Sequence, residues 1–195
     1  MLISLFIICL VSGCSKKTPY EYKGIELLEN GNMEEKESDE RPRGWWYNRG
    51  TNVNDVDPDS KQTTLTYDLT DPNNKCLKIN GVTDSKNFAF WAQTISNNIP
   101  VGKKVKLKIR VKTENLTGTG AAIAIRCDDA VKPTGSAEQF TTTQKRIPIV
   151  DSSDKYYSIE LNERIRADIK SITVYLLFLG NTSGTVYFDD ASLIY

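Results

Sequence analysis

The chain has 195 residues, with 25 basic side chains against 25 acidic ones and no histidine. Balanced charge leaves no net field to draw nucleic acid or anionic lipid. Without histidine, a Ser-His-Asp triad, a Cys-His dyad and a zinc site of the usual Cys and His ligands cannot be assembled, so any metal must be hard and oxygen-bound.

The chain opens on an apolar run from Leu2 to Val11, followed by Ser12, Gly13 and Cys14. An aliphatic residue three before a cysteine, two small residues and then the thiol form a lipobox, in which the thiol carries diacylglycerol. No Lys or Arg precedes the run, unlike an ordinary export signal. About ten apolar residues cannot span roughly 30 Å of hydrocarbon, so anchoring is expected through lipid. The reading is a signal peptide over 1–13, a lipidated (palmitate-bearing) Cys14, a polar tether over 14–24 and one folded domain over 25–195. The absence of aspartate after Cys14 resembles sorting to the bacterial outer membrane, which places the domain outside the cytoplasm.

Charge is dense from Glu34 to Arg43, and Asn48 to Gln62 is rich in Asn and Asp, so both read as solvated loops. From there, period-two alternation predicts strands over Lys75–Asn80, Asn87–Ile95, Lys104–Thr113, Ala121–Cys127, Tyr156–Leu161, Ser171–Leu179 and Thr185–Tyr195. In the clearest, Val105, Leu107, Ile109 and Val111 alternate with Lys104, Lys106, Lys108, Arg110 and Lys112. Turn chemistry separates the runs at Asp71–Asn74, Asn97–Gly102, Thr117–Gly120 and Asn181–Gly184. A short turn is expected near Ser136–Phe140 and a half-helical stretch around Asn162–Asp168, neither long enough to cover a sheet. The sheets must therefore cover each other, which predicts an all-β sandwich. Cys127 shares the Ile123 and Ile125 face while Cys76 lies opposite Leu77 and Ile79, so the two thiols are expected to stay unbonded.

The ends of the domain carry a further signal. Leu28-Glu29-Asn30-Gly31-Asn32-Met33-Glu34, then Pro42-Arg43-Gly44-Trp45, and at the finish Val186-Tyr187-Phe188-Asp189-Asp190-Ala191-Ser192-Leu193 resemble the galactose-binding-like jelly rolls, specifically carbohydrate-binding modules of families four, nine and twenty-two. Val101-Gly102-Lys103 and the segment from Val105 to Gly118 resemble the same domains' central strand and following loop. The likeness covers roughly Ile25 to Tyr195. It implies a β-sandwich jelly roll whose concave sheet holds glycan, and a structural calcium between the chain ends. The matching metal positions are Glu34 and Asp189, whose hard oxygens suit that ion.

Sugars present flat C–H faces and a rim of hydroxyls, so a binder needs exposed rings for stacking and planar polar groups for hydrogen bonds. The resemblance gives Trp45 a structural place and leaves Trp46 free. Phe88 and Phe90 share one side of their run and Trp91 and Gln93 the other. Arg126 opposes the face of Ile123, Ile125 and Cys127, Tyr175 opposes that of Ile172, Val174 and Leu176, and Asp128 is placed to neutralise Arg126. The candidate carbohydrate-binding set is Trp46, Trp91, Gln93, Arg126 and Tyr175.

These readings together describe a non-catalytic, surface-exposed lipoprotein that captures poly- or oligosaccharide. An alternative is a structural or adhesion lipoprotein using the same sandwich for contacts with other envelope proteins. A hydrolase would need two carboxylates about 5 to 10 Å apart across a cleft, and no pair can be chosen from the sequence.

Overall fold

The computed structural model describes residues 24–49, 63–81, 88–96, 99–132, 135–151 and 153–195. The proposed signal, Cys14, most of the tether and most of the Asn48–Gln62 loop lie outside the described residues. The strands in chain order are β1 (Lys36–Ser38), β2 (Arg41–Pro42), β3 (Trp46–Asn48), β4 (Thr64–Asp68), β5 (Cys76–Gly81), β6 (Ala89–Ser96), β7 (Lys104–Gly118), β8 (Ala121–Asp128), β9 (Gln139–Thr142), β10 (Ser153–Arg164), β11 (Ser171–Phe178) and β12 (Thr182–Ile194). Among the described residues there is no helix.

Two five-stranded sheets pack face to face. Sheet I runs β10-β7-β12-β5-β4 and sheet II runs β3-β6-β11-β8-β9, every pairing antiparallel. The β1-β2 hairpin forms a separate two-stranded sheet in which β1 is exposed, in keeping with the charge of that segment, and Pro42 of β2 is buried. The predicted β-sandwich is the fold.

The alternation dictates which faces meet. Sheet I turns Leu77, Ile79, Val105, Leu107, Ile109, Val111 and Phe188 inward, and sheet II turns Ile123, Ile125, Cys127, Ile172, Val174, Leu176 and Phe178 onto them, all 0–1 % exposed. Burying a side chain of this size contributes roughly 1.5–3 kcal/mol, which makes this layer the main source of stability. Cys76 and Cys127 are both buried and unbonded.

The terminal motifs meet as the resemblance implies. Ile25 and Leu27 donate from backbone nitrogen to the carbonyls of Tyr195 (3.2 Å) and Leu193 (2.9 Å), and Ala191 N donates to Gly31 O (2.8 Å). At Gly31 a Cβ would lie 2.0 Å from the Ala191 carbonyl oxygen, so only glycine permits this approach. Trp45 is buried and its indole N–H donates to Asn30 O (3.2 Å), fixing the first motif against the second.

Some boundaries differ from the expected ones. β7 continues through Gly118 because Thr113 to Gly118 pairs along β12. Ser136–Phe140 leads into an edge strand, β9, paired to β8. Asn162–Asp168 forms the end of β10 and irregular chain, with Leu161, Glu163 and Ile165 buried at alternate positions as a strand requires.

Candidate functional site

The outer face of sheet II is unusual for a solvent-facing surface. One cross-strand row reads Trp46, Ala92, Tyr175, Ala124, Thr142, and the next reads Asn48, Phe90, Leu177, Ala122. Paired residues share a face, so these side chains stand together, away from the main core. Phe90, Ala92, Ala122, Ala124, Leu177 and Leu179 form their own buried cluster, with Trp46 and Tyr175 half-buried against it.

The rings touch in sequence across this face. Phe88 stacks on Phe90 (centroids 6.0 Å, 20° between planes), and Trp46 meets Phe90 edge-on (5.4 Å, 81°). Tyr175 meets both Trp46 (6.4 Å) and Phe90 (5.0 Å) edge-on, and Phe140 closes the series 6.5 Å from Tyr175. Small residues at Ala92 and Ala124 leave room for the large rings beside them. Phe88 and Phe140 are the most open of the set, at 49 % and 55 %.

A row of Thr94, Thr173 and Arg126 borders the rings and ends in register on Phe140. Thr94 and Thr173 join through their hydroxyls (3.0 Å). Arg126 grips buried Asp128 through Nε (2.9 and 3.1 Å) and Nη2 (2.8 Å), and Nη2 also donates to Gly135 O (2.9 Å). The Asp128 hydrogen bonds raise the Arg126 pKa above its ordinary value, outweighing desolvation. Desolvation also raises the Tyr175 pKa, which keeps the phenol a neutral donor and acceptor. Asp128 thus neutralises Arg126, and the fork locks the guanidinium beside the Tyr175 ring.

Trp46, Arg126 and Tyr175 lie together on this face. Trp91 and Gln93 do not. Trp91 is fully buried on the inner face, where it pairs with Leu176 and takes the Tyr47 ring at 4.9 Å. Gln93 is 4 % exposed and acts as a clamp, its Oε1 accepting from Glu29 N (2.7 Å) and its Nε2 donating to Glu29 O (2.8 Å). The alternation along β6 is as expected, but its sense is reversed, because pairing with Leu176 and Val174 turns Trp91 and Gln93 inward and sends Phe88 and Phe90 outward. Phe88, Phe90 and Phe140 were therefore missed, along with Thr94 and Thr173. Their signal is parity, since Phe88 and Phe90 share it with Ala92, the partner of Trp46.

The second candidate locus joins the chain ends. Glu34 accepts from Lys75 N (2.9 Å) and Lys75 Nζ (2.6 Å). Asp189 is 1 % exposed, its Oδ1 accepts from Asp190 N (2.7 Å), and its Oδ2 is the one buried side-chain polar atom with no hydrogen bond among the described residues. Desolvation first, then the Asp190 charge, push the Asp189 pKa up to about 6, against the hydrogen bond from Asp190 N, the Arg110 charge and the Asn74 side chain, which pull the other way. An orphaned buried carboxylate oxygen fits a hard cation. Glu34 already holds an ammonium, and no group of three or more Asp, Glu, Cys or His suited to a metal occurs among the described residues.

No family model and no curated relative matches the sequence. Solved structures do match in fold. The xylan-binding CBM22-1 domain of Xyn10C from Paenibacillus barcinonensis superposes with a TM-score of 0.55 at 14 % identity, over 88 % of this chain and 94 % of that one. A structure described as "CBM4 structure and function" gives 0.54 at 14 % identity, over 86 % and 98 %. The fold is the carbohydrate-binding-module jelly roll. It also occurs inside larger proteins, as in the enzymatically active domain of tailspike protein 4 of bacteriophage CBA120, with a TM-score of 0.57, 17 % identity and 88 % of this chain covered, but only 22 % of the tailspike chain. At these identities the likeness establishes the jelly roll alone.

Proposed function

We propose that this jelly roll binds poly- or oligosaccharide on the outer face of sheet II, without catalysis of its own, and that lipid on Cys14 holds it at the outer surface of a bacterial outer membrane. The observation that carries the reading is the set of Trp46, Tyr175, Phe88, Phe90 and Phe140 standing outward on one sheet beside a fixed arginine. Rings contribute flat apolar area at low entropic cost. Arg126, held by buried Asp128, and Thr94, bonded to buried Thr173, add polar groups held in place by their own hydrogen bonds, so little ordering is required on binding.

Affinity electrophoresis through gels containing candidate polysaccharides tests this. The wild type is retarded by at least one glycan, and Trp46→Ala with Tyr175→Ala runs as in a glycan-free gel; retardation unchanged in that variant excludes this face.

A second reading, contact with another envelope protein, is favoured by the exposure of Phe88 and Phe140. It predicts capture of a partner that survives excess glycan. We further propose that a structural calcium binds Asp189 with help from Glu34. Its role would be to neutralise the buried carboxylate and tie the first motif to the last strand, with Lys75 as its competitor for Glu34.

A further inference from the structure

The charged groups that composition shows to be balanced overall are unevenly placed at one end of the sandwich. β7 begins at Lys104 opposite Arg164 at the end of β10, and Ile194 of β12 pairs with Lys106. The chain comes into the domain at this same end, where Ile25 N donates to Tyr195 O. The incoming segment lies on the other side of β12 from β7, so about 10 Å, two strand spacings, separates them.

A tip precedes β7, formed by Pro100, Val101, Gly102 and Lys103. It is stitched down by Lys103 N to Pro100 O (3.2 Å), Gly102 N to Ile165 O (2.8 Å), Ile165 N to Lys103 O (2.9 Å) and Arg164 Nη1 to Gly102 O (2.9 Å). On this fixed frame Val101 is 52 % exposed, and Ile25, at the same end of the sandwich but across β12 from β7, is 62 % exposed. Two open aliphatic side chains thus share one end with Lys103, Lys104, Arg164 and Arg166, all exposed.

The acidic groups at this end are Glu163, Glu26, Asp129 and Asp168. Glu163 is buried and bridged to Arg166 (2.8 Å), and Glu26 accepts from Ser192 and from the backbone of Leu27, Leu28 and Leu193. Glu160 pairs across from Lys108, farther along the strand. Asp129 and Asp168, both exposed, line a depression with Ile99, Pro100, Ile169 and Lys170 on the sheet II side of the tip. The positive flank is therefore the sheet I flank.

We propose that this end docks on the anionic bilayer that carries the Cys14 lipid, with Val101 and Ile25 set at the headgroup level and Lys103, Lys104 and Arg164 against its negative charge. This rests on the lipid-anchored reading of Cys14 and is independent of glycan binding. Ten residues from Cys14 to Gly24 reach at most about 35 Å, so the anchor keeps this end near the surface. The two acyl chains of the Cys14 diacylglycerol already hold the protein to the bilayer, so docking of this end changes how the domain stands and not whether it is retained. The consequence is orientation. β6 runs from Ala89 to Ser96 with Ser96 nearest the tip, so the Phe88, Phe90 and Trp46 end of the aromatic face is held away from the bilayer, facing outward.

Hydrogen exchange on the full lipidated chain tests this, in vesicles of phosphatidylcholine alone and of phosphatidylcholine with phosphatidylglycerol. Exchange at 101–104 and 164–166 slows on the anionic vesicles only. Each basic residue near such a surface contributes about 1 kcal/mol, so Lys103→Gln with Lys104→Gln lowers the docking equilibrium constant about thirtyfold and protection is lost. The charge-matched control, Lys145→Gln with Lys155→Gln, retains it. Equal exchange on both vesicle types, no association with vesicles, full protection in the first variant, or equal loss in the control would each overturn the proposal. None of these outcomes depends on whether the protein binds sugar.

Discussion

Asp189→Asn isolates the energetic cost at the junction of the chain ends. The folded state raises the Asp189 pKa from 3.8 to about 6, so the native protein binds this proton more tightly than the unfolded chain does. Between those values stability falls as pH rises, since only the native state is protonated there. A shift of roughly two units at about 1.4 kcal/mol each makes the ionised group cost ~3 kcal/mol at neutral pH. About 2 kcal/mol of this is recovered on going from about pH 7.5 to about pH 4.5. Paired carboxylates such as Asp68, Glu114 and Glu163, whose pKa values are lowered, act in the opposite sense and lose their contribution only at lower pH. Urea unfolding of wild type and Asp189→Asn across this range, in chelator, is the assay. The variant is more stable near neutrality and the gap narrows on acidification. Added calcium narrows it from the other side by stabilising the wild type alone. Parallel pH curves for the two proteins would refute the reasoning, and a wild type indifferent to calcium would remove the metal.

Three further outcomes follow from the placement of single side chains. Trp91→Ala lowers stability by about 3–5 kcal/mol because it empties a core site, whereas Trp46→Ala, on the outer face, costs less and acts on glycan retention; equal losses in thermal unfolding would contradict this. Gln93→Leu costs roughly 2–4 kcal/mol in denaturant unfolding by leaving both backbone groups of Glu29 without their buried partner, and an unchanged midpoint would show the clamp to be idle. Cys76 and Cys127, whose pKa values burial pushes up to about 11 and about 12, resist a thiol reagent in the native protein and react together on unfolding; fast labelling of either in native buffer would contradict their burial.

Most of the sandwich is legible in the sequence because its strands are half-wet. Where Lys and Arg alternate with Val, Leu and Ile, as along β7, only one register buries the apolar set, and the observed strand follows. The terminal motifs are equally readable, since Asn30-Gly31 and the closing Asp189-Asp190 owe their form to one close backbone contact. β6 is where this reasoning fails. Phe88-Ala89-Phe90-Trp91-Ala92 is apolar on both faces, so alternation fixes which residues go together but not which set faces the core. That choice belongs to the partner strand β11, whose Leu176 and Val174 draw Trp91 and Gln93 inward. A buried glutamine was unexpected for the same reason, because its partner is the backbone of Glu29, 64 residues away. The edge strands β3, β4 and β9 are short, and their pairing is supplied by β6, β5 and β8 more than by any pattern of their own.

The central claim is that sugar lies on the outward rings of sheet II, and mapping backbone amide shifts by NMR during titration with a glycan that retards the protein tests it most directly. The account predicts changes concentrated at Trp46, Phe90, Thr94, Arg126, Phe140 and Tyr175. Changes confined to the lysine-bearing face of sheet I, with these residues still, would contradict it.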